Sequence, residues 1–253
     1  MDITNEPRRP AWLLDEVASA GRENLDATHA RRYDAKEDAG ADDEVPVLRA
    51  HGLTDTSVVV DLGAGTGQFT LAAAAECARV VAVDVSDVML EQLRAKVSAA
   101  GASNVEVVRA GFLTYQHTGP LADFVYTRYA LHHLPDFWKA IALDRARRML
   151  RVGGVLRVSD VIFGFDPADA EERIEAWCAS VDGRGDDEWH RADVEEHVRD
   201  EHSTFTWLFE PMLQRAGFVV DDVSRSPDGV VASYLARAAP REERPTAAAA
   251  PPA

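Results

Sequence analysis

The run Val58-Val59-Val60-Asp61-Leu62-Gly63-Ala64-Gly65-Thr66-Gly67 constrains the fold more than any other part of the chain. A short β-branched stretch ends at an acid, and a glycine at every second position follows. Apolar residues over this length read as a buried strand. The glycines let the backbone turn sharply and approach a ligand with no Cβ in the way. Such a loop at the carboxyl end of a strand is where open α/β sheets bind ligands. The spacing excludes two common variants. A dinucleotide loop follows G-x-G-x-x-G, but Gln68 stands where its last glycine would be, and no Gly-Lys-Ser/Thr phosphate loop is present.

A second apolar run, Arg79-Val80-Val81-Ala82-Val83-Asp84, also ends in an acid, 21 residues after Gly63. An acid at about that distance hydrogen-bonds the ribose of a nucleoside ligand in doubly wound folds. Ser86 and Asp87 supply cap chemistry for the helix that follows. Further on, strand and helix patterns alternate. Strands are expected at 58–62, 80–84, 105–109, 124–128 and 155–161, with helices over 68–76, 88–100 and 137–150. Gly101 and Gly153-Gly154 stand as stops. This alternation implies a largely parallel sheet with helices on both faces. Pro46 predicts a helix with proline in its first turn. Residues 166–216 are acidic and aromatic and read as helices over 168–180, 191–201 and 207–216. Phe218–Arg225 and Val230–Arg237 flank the turn Ser226-Pro227-Asp228-Gly229 as an antiparallel pair. The chain after Pro240 is rich in Ala and Pro and reads as a disordered tail.

The D-x-G-x-G-x-G pattern resembles motif I of the class I S-adenosylmethionine-dependent methyltransferases, and the resemblance covers roughly residues 50–237. It implies a Rossmann-like doubly wound sheet of seven strands, and the sequence supplies seven candidates. It divides the chain into an N-terminal arm or lid (1–45), a cofactor-binding core (46–165), a helical cap insertion (166–216), a terminal β-hairpin (217–238) and a tail (239–253). Asp61 is then expected near the donor's ammonium group, and the backbone from Gly63 through Ala64, Gly65, Thr66 and Gly67 around its methionine part. Asp84 would hold the ribose, with Val85 and Met89 against adenine. After the third strand the family often has an acid for the adenine amine. Here Arg109-Ala110-Gly111-Phe112 carries none, so Gly111 and Phe112 are expected to serve instead. Tyr33 and Lys36 belong to the arm that commonly folds over the cofactor.

The segment Arg128-Tyr129-Ala130-Leu131-His132-His133-Leu134-Pro135-Asp136 resembles the xLHHLxD region of small-molecule methyltransferases. The Asn/Asp-Pro-Pro-Tyr typical of nucleic-acid and glutamine N-methyltransferases is absent. Histidine suits the removal of a proton from an oxygen or nitrogen acceptor. Adjacent residues diverge, so His132 and His133 face different ways, and His133 is the better candidate to meet the acceptor. Asp160, at the end of the fifth strand, is expected to orient a histidine or bind the substrate. Tyr129 is expected to lie against the sulfonium, since an aromatic face attracts a cation, and Arg128 to sit at the strand end beside it.

A net charge of −16 opposes binding to nucleic acid or to anionic membranes. The N-terminus lacks signal-peptide character, and the only cysteines, Cys77 and Cys178, suit reduced thiols in a cytoplasmic protein. No metal is expected: His190, His197 and His202 do not follow a zinc-helix spacing and read as surface histidines. The leading expectation is an O-, N- or C-methyltransferase of a small molecule, monomeric or homodimeric, converting S-adenosylmethionine to S-adenosylhomocysteine. A binding protein that uses this cofactor without methyl transfer, and a nicotinamide oxidoreductase, stand as alternatives.

Overall fold

The structure is a computed structural model and describes residues 10–21, 25–26, 40–181 and 189–240. Tyr33, Lys36 and the tail from 241 lie outside the described residues. Helix α1 spans Ala41–Ala50 and is followed by β1 (Val58–Leu62), α2 (Gln68–Ala74), β2 (Arg79–Asp84), α3 (Asp87–Ala100), β3 (Val105–Arg109) and β4 (Ala122–Arg128). A 3-10 turn at Leu131–His133 leads into α4 (Asp136–Met149) and the long β5 (Leu150–Phe163). After a 3-10 turn at Pro167–Asp169 come α5 (Ala170–Ser180), α6 (Arg191–Asp200), β6 (Thr204–Phe205), α7 (Thr206–Ala216), β7 (Phe218–Arg225) and β8 (Val231–Ala238).

The strands form a doubly wound α/β sheet in the order β3-β2-β1-β4-β5-β8-β7. β1 to β5 are parallel, and β8 runs antiparallel to both β5 and β7. The short β6 adds an eighth strand beside the end of β5, pairing Ile162 with Thr204. A two-residue strand carries no alternation that could announce it. The chain moves outward from β1 to β3 and returns to β4 on the other side of β1. That reversal is the crevice where doubly wound sheets bind ligands.

Alternation along the central strands sorts the core into two faces. Val59, Val80, Phe124, Tyr126, Val155 and Leu235 face α1 and α2, where they meet Leu48, Phe69 and Ala73. Val60, Val81, Val125, Leu156 and Tyr234 face the other way, toward Leu143 and Ala146 of α4. Phe209 and Leu213 of α7 are fully buried on that same face, so α7 covers the sheet even though its sequence continues the 166–216 insertion. β1 is buried on both faces after its first residue, which is why its sequence is continuously apolar and does not alternate.

Local chemistry sets the boundaries. The Ser86 hydroxyl caps α3 by accepting from Met89 N at 3.2 Å, and Gly101 ends the helix in the left-handed region. Gly217 ends α7 the same way. α1 differs from expectation: it starts at Ala41, with Pro46 inside it. Glu44 on its first half forms a buried two-pronged ion pair with Arg157 of β5, both contacts at 2.8 Å. Both cysteines are free and buried. Among the described residues no helix is long and apolar enough to cross a membrane.

Candidate active site

A cavity of about 630 Å³, its open mouth included, lies at the carboxyl ends of β1 to β4. Gly63 and Gly65 form one wall, Asp84, Val85 and Met89 a second, and Gly111 and Phe112 a third; Arg128, Tyr129, Ala130 and His133 close the far side. The expected residues Gly63, Gly65, Asp84, Val85, Met89, Gly111, Phe112, Arg128, Tyr129 and His133 are therefore brought together in one space.

Asp84 organises the near end. Its Oδ2 accepts from Gly65 N and its Oδ1 from Ser86 N, each at 2.8 Å. With the Val85 amide as a third backbone donor, the carboxylate still keeps acceptor capacity for a ligand. Burial raises the Asp84 pKa, and the Ser86 and Gly65 amides oppose that rise. Gly63 has φ 76°, and a Cβ there would lie 2.3 Å from the Ala130 methyl. Only glycine allows the two loops to meet so closely.

The other residues of the glycine loop lie outside the cavity lining. A Cβ on Gly67 would strike Leu93 of α3 at 2.0 Å, so this glycine serves helix packing at the start of α2. Asp61 is buried away from the cavity lining and accepts from the Thr70 hydroxyl at 2.5 Å. Burial pushes its pKa up to about 7, against the Thr70 hydrogen bond. Ala64 and Thr66 lie in the loop without lining the cavity.

The far end carries the LHHLPD segment. Tyr129 is the one non-glycine residue at positive φ, 47°, among the described residues. Such strain persists where surrounding structure fixes it, often at functional sites. Its ring face is occupied by the Arg128 guanidinium, 5.0 Å from the centroid. His132 and His133 diverge. His133 lines the cavity. His132 turns inward, its Nδ1 2.5 Å from Asp160 Oδ1 and its Nε2 3.0 Å from Glu201 Oε2. Asp160 also accepts from the backbone N–H of Leu131 and His132 at 2.8 and 3.2 Å, which fixes the turn onto β5.

This arrangement splits the two histidines electrically. Burial opposes charge on His132, but the Asp160 and Glu201 carboxylates override it and hold its pKa near 10. His133, buried and beside that cation, is driven down to about 3. Asp160 and Glu201 are both held low against burial, chiefly by His132 and, for Glu201, also by His197. His132, His133 and Glu201 place three ligand-type atoms within 4.8 Å of one another.

Three participants escaped the sequence. Glu201 caps the end of α6, and its Oε2 meets His197 Nδ1 at 2.6 Å. His197 was expected at the surface but is 7 % exposed, its Nε2 against the Ser203 hydroxyl. Its i,i+4 spacing to Glu201 is visible in the chain, but nothing local predicts that His132 lies beside them. Glu16, from the N-terminal segment, is 5 % exposed and lines the cavity next to Gly111.

Residues 59–154 match the methyltransferase domain family. An uncharacterized methyltransferase of Geobacillus sp. is 25 % identical over 171 residues, 62 % of this chain and 78 % of the relative. A demethylmenaquinone methyltransferase of Clavibacter sepedonicus is 32 % identical over 153 residues, 60 % of this chain and 58 % of the relative. The solved magnesium protoporphyrin IX methyltransferase of Synechocystis, with S-adenosylmethionine bound, superposes with a TM-score of 0.62. Its identity is 14 %, over 90 % of this chain and 99 % of that one, a likeness of fold. With a methyltransferase domain across the central sheet and methyltransferases among its relatives, the chain is an enzyme of the methyltransferase class.

Proposed function

We propose that the chain transfers a methyl group from S-adenosylmethionine to a small-molecule acceptor and releases S-adenosylhomocysteine. The carrying observation is the cavity at the sheet's reversal point, where Asp84, Gly63 and Gly65 meet the His133 wall. The donor set suits the molecule. Asp84 presents acceptor lone pairs to ribose hydroxyls, the close-approach backbone at Gly63 and Gly65 faces the methionine part, and Val85, Met89 and Phe112 offer apolar surface to adenine. When bound, S-adenosylmethionine supplies an electrophilic methyl group on a sulfonium.

The chain's own residues position the acceptor and handle its proton. Most of the acceleration of an in-line displacement comes from alignment and exclusion of water. His133 is neutral at physiological pH because burial and the adjacent imidazolium depress its pKa. Though a weak base, the neutral ring can accept a hydrogen bond from the acceptor and take the proton that methylation of a hydroxyl makes strongly acidic. His132, clamped between Asp160 and Glu201, holds the turn that presents His133. Glu16 in the described part of the N-terminal arm reaches the cavity wall, which supports a lid role for that arm, and Glu201 of the 166–205 insertion reaches the histidine pair, which supports a roof over the acceptor side. The acidic net charge supports a small molecule over a nucleic acid as acceptor.

The reading is tested by titrating the full chain and its Asp84→Ala variant with S-adenosylhomocysteine. Removing the paired ribose contacts is expected to weaken binding by about 1–3 kcal/mol. Equal affinity in the two proteins would remove Asp84 from the donor site.

A further inference from the structure

The loop after β3 carries no acid, yet a carboxylate stands there. Glu16 is donated from 97 residues earlier in the chain: its Oε1 accepts from Leu113 N at 3.0 Å, and its Oε2 from the Thr114 hydroxyl at 3.0 Å. The Thr114 oxygen in turn accepts from Gly111 N at 2.8 Å. The carboxylate sits against Gly111, where a Cβ would lie 2.3 Å from Glu16 Oε1 and would displace it. Arg145, which holds the carbonyls of Phe112 and Tyr115 from below, interacts electrostatically with the same carboxylate. Glu16 is thus a built part of the cavity wall, on the side where Gly111 and Phe112 face Val85 and Met89.

A nucleoside whose ribose is held at Asp84 directs its base into this part of the cavity. The edge of adenine carries an exocyclic amine, a donor, at the atom where hypoxanthine carries a carbonyl oxygen. A carboxylate only accepts. We propose that Glu16 reads the base of the methyl donor, accepting from the exocyclic amine and repelling a 6-oxo purine, so that the N-terminal segment sets nucleoside specificity. The inference rests on the S-adenosylmethionine reading of the cavity. It also couples binding to the N-terminal segment: a ligand that donates to Glu16 fastens residues 10–21 to the loop over 111–114.

The test is isothermal titration of the full chain and of Glu16→Gln with S-adenosylhomocysteine and with S-inosylhomocysteine. A site built to pair a substrate's polar group rejects an analogue that mismatches it. The wild-type chain is expected to prefer the adenine ligand by at least about 10-fold. In Glu16→Gln the amide offers a donor as well as an acceptor, so the preference should collapse, with inosine binding gained and adenine binding reduced. A glutamine variant that discriminates like the wild type would overturn the proposal, as would a wild-type chain that binds both ligands equally, a result that needs no variant to fold. Failure of the wild type to bind either ligand would instead strike the cofactor reading itself.

Discussion

Two adjacent imidazoles, His132 and His133, are pushed in opposite directions: carboxylates raise the pKa of the first, while burial and then the neighbouring imidazolium lower that of the second. Pairs of titratable groups pushed apart in this way mark acid and base assignments. The His133 pKa near 3 keeps it neutral throughout the physiological range. Turnover should therefore show no inflection near the ordinary histidine value of 6.5, and His133→Ala should lower kcat about 100-fold or more while S-adenosylhomocysteine affinity changes little. A wild-type pH–rate profile with a group near 6.5 that vanishes in His133→Ala would contradict this. The His132 pKa is raised, so its contribution to stability is fully present below 6.5 and is lost as pH rises through about 10. At this scale the glycine loop and the acid at Asp84 were legible because their chemistry is local. Glu16 and Glu201 were not, because each acts on residues far away in the chain, and an isolated glutamate in a charge-rich segment carries no mark of its partner.

Between residues and fold stands the segment that delivers Glu201. His202 N donates to His132 O at 2.9 Å, and the Thr204 hydroxyl to Asp136 Oδ2 at 3.1 Å. Lys139 of α4, 2 % exposed, ties the same place together: its ammonium donates to Leu134 O at 2.6 Å, to Asp136 Oδ1 at 3.1 Å and to His202 O. Burial lowers its pKa, which Asp136 opposes. Lys139→Met should leave these acceptors unpaired and cost about 3 kcal/mol in denaturant unfolding, with turnover falling because Glu201 loses its hold near His132. Unchanged stability would mean that the segment is held elsewhere. Elements themselves were largely readable, since β1, β3 and β7 have the bounds that their apolar runs imply. β6 was hidden by its brevity, and the start of α1 by Pro46, a residue that favours a first turn yet sits inside this helix.

For the whole molecule, the order of the strands decides where chemistry can occur. The parallel strands all end on one side, and the return from β3 to β4 opens the crevice there. The 166–205 insertion and the N-terminal segment then each lend a carboxylate to that crevice, Glu201 at the histidine end and Glu16 at the Gly111 end. The alternation of strand and helix patterns foretold the sheet. It could not foretell which segments outside the sheet would close over it, because that depends on contacts between parts of the chain with no shared periodicity. On the function proposed above, a sequence without the last dinucleotide glycine, folded around Asp84 in this way, takes S-adenosylmethionine and not a nicotinamide dinucleotide. Calorimetric titration of the full chain with S-adenosylhomocysteine and, separately, with NAD tests that claim most directly. Saturable one-to-one binding of S-adenosylhomocysteine and none of NAD is expected; binding of NAD with no response to S-adenosylhomocysteine would contradict it.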